Sequence, residues 1–271
     1  MARPIIAFQS DELGQTATAT LDTGTADSRY PVTNVQTFEP SQVFLTTTTG
    51  AVRIVWDHGS AVDVKVFSLH HYNIPAGHAG VKVQRHSANS WASPTIDATL
   101  TIPARPNDGL PLPIGLDLTA VSGYNGATGL RYSSLYIPSP SQLTGIGSAL
   151  WWGAKRTDIR QIRVPFTPVE SHPRRAWKTA YGRENRYRLG VRLRAIAGTL
   201  RTVPTDGLWL EWWRACRGDR AFLWWMDTST SDAWLAQFGA DAQDLEYAAA
   251  TLAPARVVIE ERACGLALPT A

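Results

Sequence analysis

Val52-Arg-Ile-Val-Trp-Asp57-His58-Gly59, followed by Val62-Asp-Val-Lys-Val-Phe-Ser-Leu69-His70-His71-Tyr72-Asn73, decides the fold class. Each apolar run is short and rich in β-branched residues, and each is closed by a turn-forming Gly or Asn, which is the punctuation of antiparallel strands. Outward from it, Ser28-Arg-Tyr-Pro-Val-Thr-Asn34 on one side and Val81-Lys-Val-Gln-Arg85 on the other keep the same grammar. No helix of ordinary length can be drawn from Ser28 to Trp91, and nothing there is arranged as a catalytic set. The fold class expected is mainly β.

The lead-in, 1–25, contains Gln15-Thr-Ala-Thr-Ala-Thr-Leu21, whose period of two fits an edge strand. Residues 26–168 read as a first β-domain with two loop-rich stretches, Ile102 to Pro113 and Ser122 to Gly129, dense in Pro, Gly and Asn. Thr167-Pro-Val-Glu-Ser-His-Pro173 reads as a linker, and 169–271 as a second, smaller β-domain. In it Arg186-Tyr-Arg-Leu-Gly-Val-Arg-Leu-Arg-Ala195 alternates as one strand, with Tyr187, Leu189, Val191 and Leu193 on one face and Arg186, Arg188, Arg192 and Arg194 on the other. A short helix over 208–217 follows, capped by Asp206 and stopped by Gly218. Then come the aromatic strand Ala221 to Met226 and a closing strand through Val257-Val258-Ile259.

Charge and composition narrow the function. The formal net charge is only +3 over 271 residues, which argues against nucleic acid as the main partner. The charge is uneven: Arg174 to Arg201 holds nine basic residues and one acid, Glu184. Only Lys178 among the basic residues after 168 is not Arg, a bias that fits planar bidentate contacts better than solubility. With only two cysteines, Cys216 and Cys264, disulfides are not the framework. No apolar stretch is long enough for a membrane span or a signal peptide, so a soluble protein made in the cytoplasm is expected. Eleven tryptophans, many in doublets, mark large contact surfaces; on strands a doublet places one indole on each face, so one of each pair is expected outside the core.

Chemical constellations are weak. His70 and His71 are adjacent on a strand and face opposite ways, so with His58, His78 and His86 nearby they still make no metal site. Asp57, Asp63, Asp97, Asp108 and Asp117 are scattered over turns and strand edges, and Glu260-Glu261 faces both ways, so no carboxylate pair of a glycosidase is visible. Arg217-Gly218-Asp219 sits where a helix-to-strand turn demands glycine. Neither a catalytic site nor a cofactor is expected.

Two resemblances organise the rest. Tyr30-Pro31, Asn34, Trp56-Asp57-x-Gly59, Val62 to Leu69 and His71-x-Asn73 resemble the galactose-binding-like jelly roll of the discoidin type, over about 26–168. His58 departs from that pattern, where an aliphatic residue is usual, and no calcium-loop carboxylate cluster is present. Over about 175–265, the order basic strand, Trp-rich helix, Arg217-Gly218, aromatic strand and Val-Val-Ile-Glu-Glu strand is similar to distal tail and baseplate proteins of long-tailed phages. That second resemblance implies a virion structural protein at the tail tip, made in the bacterial host cytoplasm. It would assemble as a homo-oligomeric ring or collar between the tail tube, hub and fibres. Arg186, Arg188, Arg192, Arg194, Trp209 and Trp213 are the interface residues expected on this reading. The alternative is a carbohydrate-binding module or receptor-binding adhesin for a host-surface glycan. Its contacts would be the loop residues Trp91, Asn107, Asp108, Tyr124 and Asn125, since aromatic faces stack on sugars and Asn/Asp pair with hydroxyls. An accessory domain of a hydrolase is the third.

Overall fold

The computed structural model describes residues 5–39, 42–105, 111–126, 129–157, 167–171, 174–178, 184–188, 193–200, 208–217, 220–225, 232–239 and 255–262. Its strands in chain order are β1 (Ile5–Phe8), β2 (Thr18–Thr23), β3 (Phe44–Leu45), β4 (Val52–Asp57), β5 (Val66–Tyr72), β6 (Lys82–His86), β7 (Ile96–Thr99), β8 (Ile114–Asp117), β9 (Tyr132–Ile137) and β10 (Gly145–Trp152). After them come β11 (Thr167–Ser171), β12 (Arg174–Lys178), β13 (Glu184–Arg188), β14 (Leu193–Leu200), helix α1 (Leu208–Cys216), β15 (Phe222–Trp225), β16 (Trp234–Phe238) and β17 (Ala255–Glu261). The fold is mainly β. Two compact units form, one from the described residues of 1–157 and 222–235, the other from those of 158–221 and 236–267.

The first unit is a sandwich of a five-stranded sheet, β2-β4-β9-β6-β7, and a four-stranded sheet, β3-β10-β5-β8, all antiparallel. Alternation decides which side chains fill it: Ile54 and Trp56 of β4, Val83 of β6 and Leu135 of β9 face inward and meet Phe67, Leu69 and Trp151 from the other sheet. Trp151 is the centre, with its ring 5.2 Å from Trp56 and 4.7 Å from Phe67. Truncating either indole to Ala would cost about 3–5 kcal/mol, because so large a cavity cannot collapse.

The motif residues have identifiable work. Asn34 donates from Nδ2 to the Val43 carbonyl at 2.7 Å, and Asn73 spans two strand ends, donating to the Leu143 carbonyl and accepting from the Gly145 amide, both at 2.8 Å. β2 is the sheet edge that the Thr/Ala alternation predicts.

The tryptophan doublets overturn one expectation. Trp151 and Trp152 are both fully buried, and Trp224 and Trp225 are both buried. For Trp151 and Trp152 the reason is that the four-stranded sheet is covered on both faces within its own unit. Trp152 lies 5.9 Å from Phe38 and donates from Nε1 to Ser68 Oγ at 2.8 Å, while Ser148 Oγ donates to the Thr37 carbonyl. Further along, β8 approaches Trp225 and Ala233 so closely that a Cβ on Gly115 would stand 2.6 Å from the Ala233 Cβ. β15 itself pairs with β1, from Ile5 opposite Trp225 to Phe8 opposite Phe222, and Ile114 bridges Asp232. Pieces from both ends of the chain thus complete the first unit.

In the second unit β14 lies between β11 and β17, and β12 pairs with β13 as a two-stranded ribbon. α1 spans nine residues, and Trp212 and Trp213 pack their rings 4.7 Å and 4.9 Å from Phe238. The expected single strand from Arg186 to Ala195 is divided: β13 ends at Arg188 and β14 begins at Leu193, each with different partners. No described helix is long and apolar enough to cross a membrane.

Candidate functional site

Strand register brings three loops to one end of the sandwich. Asp57 stands opposite Tyr132, and Tyr132 opposite His86, so the segments after Asp57, before Tyr132 and after His86 all leave the five-stranded sheet together. Val66 lies opposite both Asp117 and Trp152, so the other sheet ends there too. The loops are 58–65, 87–95 and 118–131. They meet: Gly123, at φ +87, lies so close to the Thr95 carbonyl that an added Cβ would be 2.2 Å from its oxygen.

Two of the three loops, 58–65 and 118–131, are tied by polar contacts. Arg131 grips Asp57 bidentately, Nε to Oδ1 and Nη2 to Oδ2, both 2.6 Å, which holds the Asp57 carboxyl below its usual range. Tyr124 donates its hydroxyl to Asp63 Oδ1 at 2.7 Å; burial, and then that carboxylate, push the phenol up to about 12. Beneath them Arg85 is fully buried, donating to the carbonyls of Val62 and Leu130 and to Ser133 Oγ, so one guanidinium fastens two of the three loops to β9. His58 Nε2 lies 2.9 Å from the same Ser133 Oγ; burial, reinforced by Arg85, lowers its pKa to about 4 and keeps the ring neutral.

Trp91 sits in the 87–95 loop, half-buried, donating from Nε1 to Asn89 Oδ1 at 3.0 Å. Its ring comes back onto the outer face of the five-stranded sheet, 5.3 Å from the Arg53 guanidinium carbon. Asn125 is exposed beside half-buried Tyr124. Of the five expected glycan contacts, Trp91, Tyr124 and Asn125 therefore fall on adjoining loops at one end, whereas Asn107 and Asp108 lie outside the described residues. Asn89 and Asp63 share this end, and Arg53, from the outer face of β4, reaches the Trp91 ring; only the tertiary structure shows these placements.

The candidate interface residues are not brought together on one strand face. Register places Arg186 opposite Ala176 and Arg188 opposite Arg174, in the ribbon, while Arg194 stands opposite Glu170. Arg192 lies outside the described residues. Trp213 is buried against Phe238, so it fills the core of its own unit instead of an outer face, a correction with a plain cause: α1 turns that side onto β16. Trp209 is in α1, and Gly218 and Asp219 are outside the described residues.

The expected carboxylates are held singly: Asp97 by Lys82, Asp117 by Lys155, Asp57 and Asp63 as above. Among the described residues no three His, Cys, Asp or Glu converge as a metal-ligand set. His70 and His71 depart from regular strand geometry, since His71 has φ +50.

No family model matches this sequence, and no curated protein matches it. Among solved structures, a family 32 carbohydrate-binding module from Clostridium perfringens NanJ, in complex with galactose, is similar at TM-score 0.39 and 9% identity, over 54% of this chain and 98% of that one. A Streptococcus pneumoniae fucose-binding module, SpX-3, gives TM-score 0.39 and 9% identity over 53% and 98%. The structure of SpGH29 gives 0.38 and 12%, with this chain spanning 29% of that longer one. At such scores and identities the likeness does not assign a ligand.

Proposed function

We propose that the first unit is a glycan-recognition module of the galactose-binding-like kind, with its ligand at the loop end of the sandwich. The observation that carries this reading is the placement of Trp91, Tyr124 and Asn125 on adjoining loops, of which the one holding Tyr124 and Asn125 is fastened from beneath by Arg85 and Ser133. Half-exposed aromatic rings beside amide and carboxylate groups on a stiff scaffold are what pyranose recognition needs: a face for the apolar C–H surface and fixed partners for the hydroxyls. Loops held this way lose little entropy on binding.

A glycan array followed by titration calorimetry tests it. Wild-type chain should select a restricted set of terminal sugars, and Trp91→Ala and Tyr124→Ala should each weaken binding by tenfold or more. Uniform absence of array signal, or binding untouched by both substitutions, would refute the reading.

A second reading, a subunit of a phage tail tip that joins tube to adsorption apparatus as a ring, is supported by the element order β14, α1, β15 and β17. That order is the one the tail-protein resemblance specifies. Mass determination with negative-stain microscopy separates the two: closed rings support the subunit role, and dispersed monomers oppose it.

A further inference from the structure

Arg53 lies on the outer face of β4 with its side chain only 13% exposed. Its Nη1 donates to Gln84 Oε1 at 2.6 Å and to Ser134 Oγ at 3.2 Å, and its Nε lies 3.7 Å from Asp22 Oδ2. Gln84 is held in turn by donating to Asp97 Oδ1 at 3.0 Å, and Lys82 Nζ closes the chain on Asp97 Oδ2 at 2.7 Å. These contacts link β4 to all four other strands of the sheet, so the guanidinium is fixed against rotation. The Tyr136 ring, its cross-strand neighbour, lies 4.5 Å from the same carbon.

The 87–95 loop has no comparable anchor. Ser87 to Ser90, Ala92, Ser93 and Thr95 are exposed, and Trp91 is its one aromatic side chain. The indole is seated on a cation that the sheet holds still, a geometry in which guanidinium and π-face attract each other.

We propose that Arg53 is a positioning residue for Trp91: it carries one face of the indole and so presents the opposite face to a sugar ring. This rests on the glycan reading, and it adds the residue that makes the platform rigid. A bare loop tryptophan would lose rotamer and loop freedom on binding; one already stacked on a fixed guanidinium has lost it beforehand.

The test uses the full chain labelled with 5-fluorotryptophan, in which Trp91→Phe identifies the Trp91 fluorine resonance among the eleven. In Arg53→Gln that resonance should shift and narrow while the other ten stay in place, which separates release of one ring from loss of the fold. Arg53→Lys, which keeps a cation under the ring, should bring it part of the way back. On the glycan array, Arg53→Gln should lower signal at least tenfold with Arg53→Lys in between. An unmoved Trp91 resonance in Arg53→Gln overturns the proposal, as does array binding that needs Trp91 but is indifferent to Arg53. If Trp91→Ala leaves array binding intact, the glycan reading is what falls, and the fluorine spectra still judge whether Arg53 seats the ring.

Discussion

The backbone amide of Trp151 donates to Oε1 of Glu12 at 2.9 Å, across 139 residues of chain. The same carboxylate receives the amides of Gly14 at 2.8 Å and Gln15 at 2.7 Å, so a turn near the N-terminus is locked to β10, an inner strand of the four-stranded sheet. Glu12 is buried, and that burial outweighs the three amides and raises its pKa from 4.5 to about 7.

Two buried groups therefore pull stability in opposite directions with pH. Glu12, raised in the fold, contributes stability that is complete below about 4.5 and is lost as pH rises through 7. His58, lowered from 6.5 to about 4, contributes stability that is present above 6.5 and is lost as pH falls toward 4. Each shift corresponds to about 3 kcal/mol. Between pH 4.5 and 6.5 the two nearly cancel. Glu12→Gln is expected to leave a melting temperature that climbs with pH across this window, and His58→Gln one that falls. Calorimetric scans at half-unit steps check this; parallel profiles for the two variants would defeat it.

The N-terminal strand gives a second prediction. Thr167–Ser171, expected as part of a linker, is strand β11 paired with β14, so the cut belongs before it. Because β1 pairs with β15, a nick between Thr157 and Thr167 leaves two pieces still joined through the Ile5–Phe8 and Phe222–Trp225 ladder and the packing of Gly115 on Trp225. The pieces should co-elute in native size-exclusion chromatography and separate only in denaturant. An isolated 26–168 fragment, lacking β1, β2 and β15, should bind a hydrophobic dye and melt well below the full chain. A fragment as stable as the parent would show that these strands add nothing.

Much of this was legible in the sequence. Strands ending in Asp57-x-Gly59 and Asn73 announce themselves because turn residues act locally, and α1 because apolar spacing repeats every turn. What was hidden is non-local. The pairing of β1 with β15 spans more than 200 residues, and no local period encodes it. The same cover on the four-stranded sheet explains why both indoles of a doublet are buried. A period-two pattern also cannot reveal that β13 and β14 are separate strands, since alternation continues through the break. The site was half visible: Trp91, Tyr124 and Asn125 stand out as aromatic and amide residues in turn-rich loops, but Arg53 and Arg85 read as ordinary strand positions.

Gly123 and Gly126 offer a controlled comparison within one loop. Both have positive φ, +87 and +80, but a Cβ on Gly123 would meet the Thr95 carbonyl, whereas one on Gly126 meets nothing within 4 Å. Gly126→Ala should cost about 1 kcal/mol, the strain of a left-handed alanine. Gly123→Ala must also push the 87–95 loop away and should cost about 2–3 kcal/mol or more. Equal melting temperatures for the two variants would mean that the loops do not touch.

The arginines of the second unit separate by what stands across the strand. Arg194 is opposite Glu170, so its charge has an acid at the neighbouring register position within the same chain. Arg188 is opposite Arg174, and like charges directly across a ladder destabilise it by about 0.2–1 kcal/mol. Arg188→Gln should therefore leave the isolated subunit as stable as wild type or slightly more so, while Arg194→Gln should lower its melting temperature. If the ribbon's arginines serve an interface, Arg188→Gln must instead show its cost in assembly: removing one member of an interfacial charge pair leaves its partner desolvated, typically worth about 2–5 kcal/mol. Sedimentation of the variant, alone and mixed with wild type, reads that cost directly. An Arg188→Gln chain that gains stability and associates no differently from wild type would mark the ribbon as a wet surface and remove it from the interface.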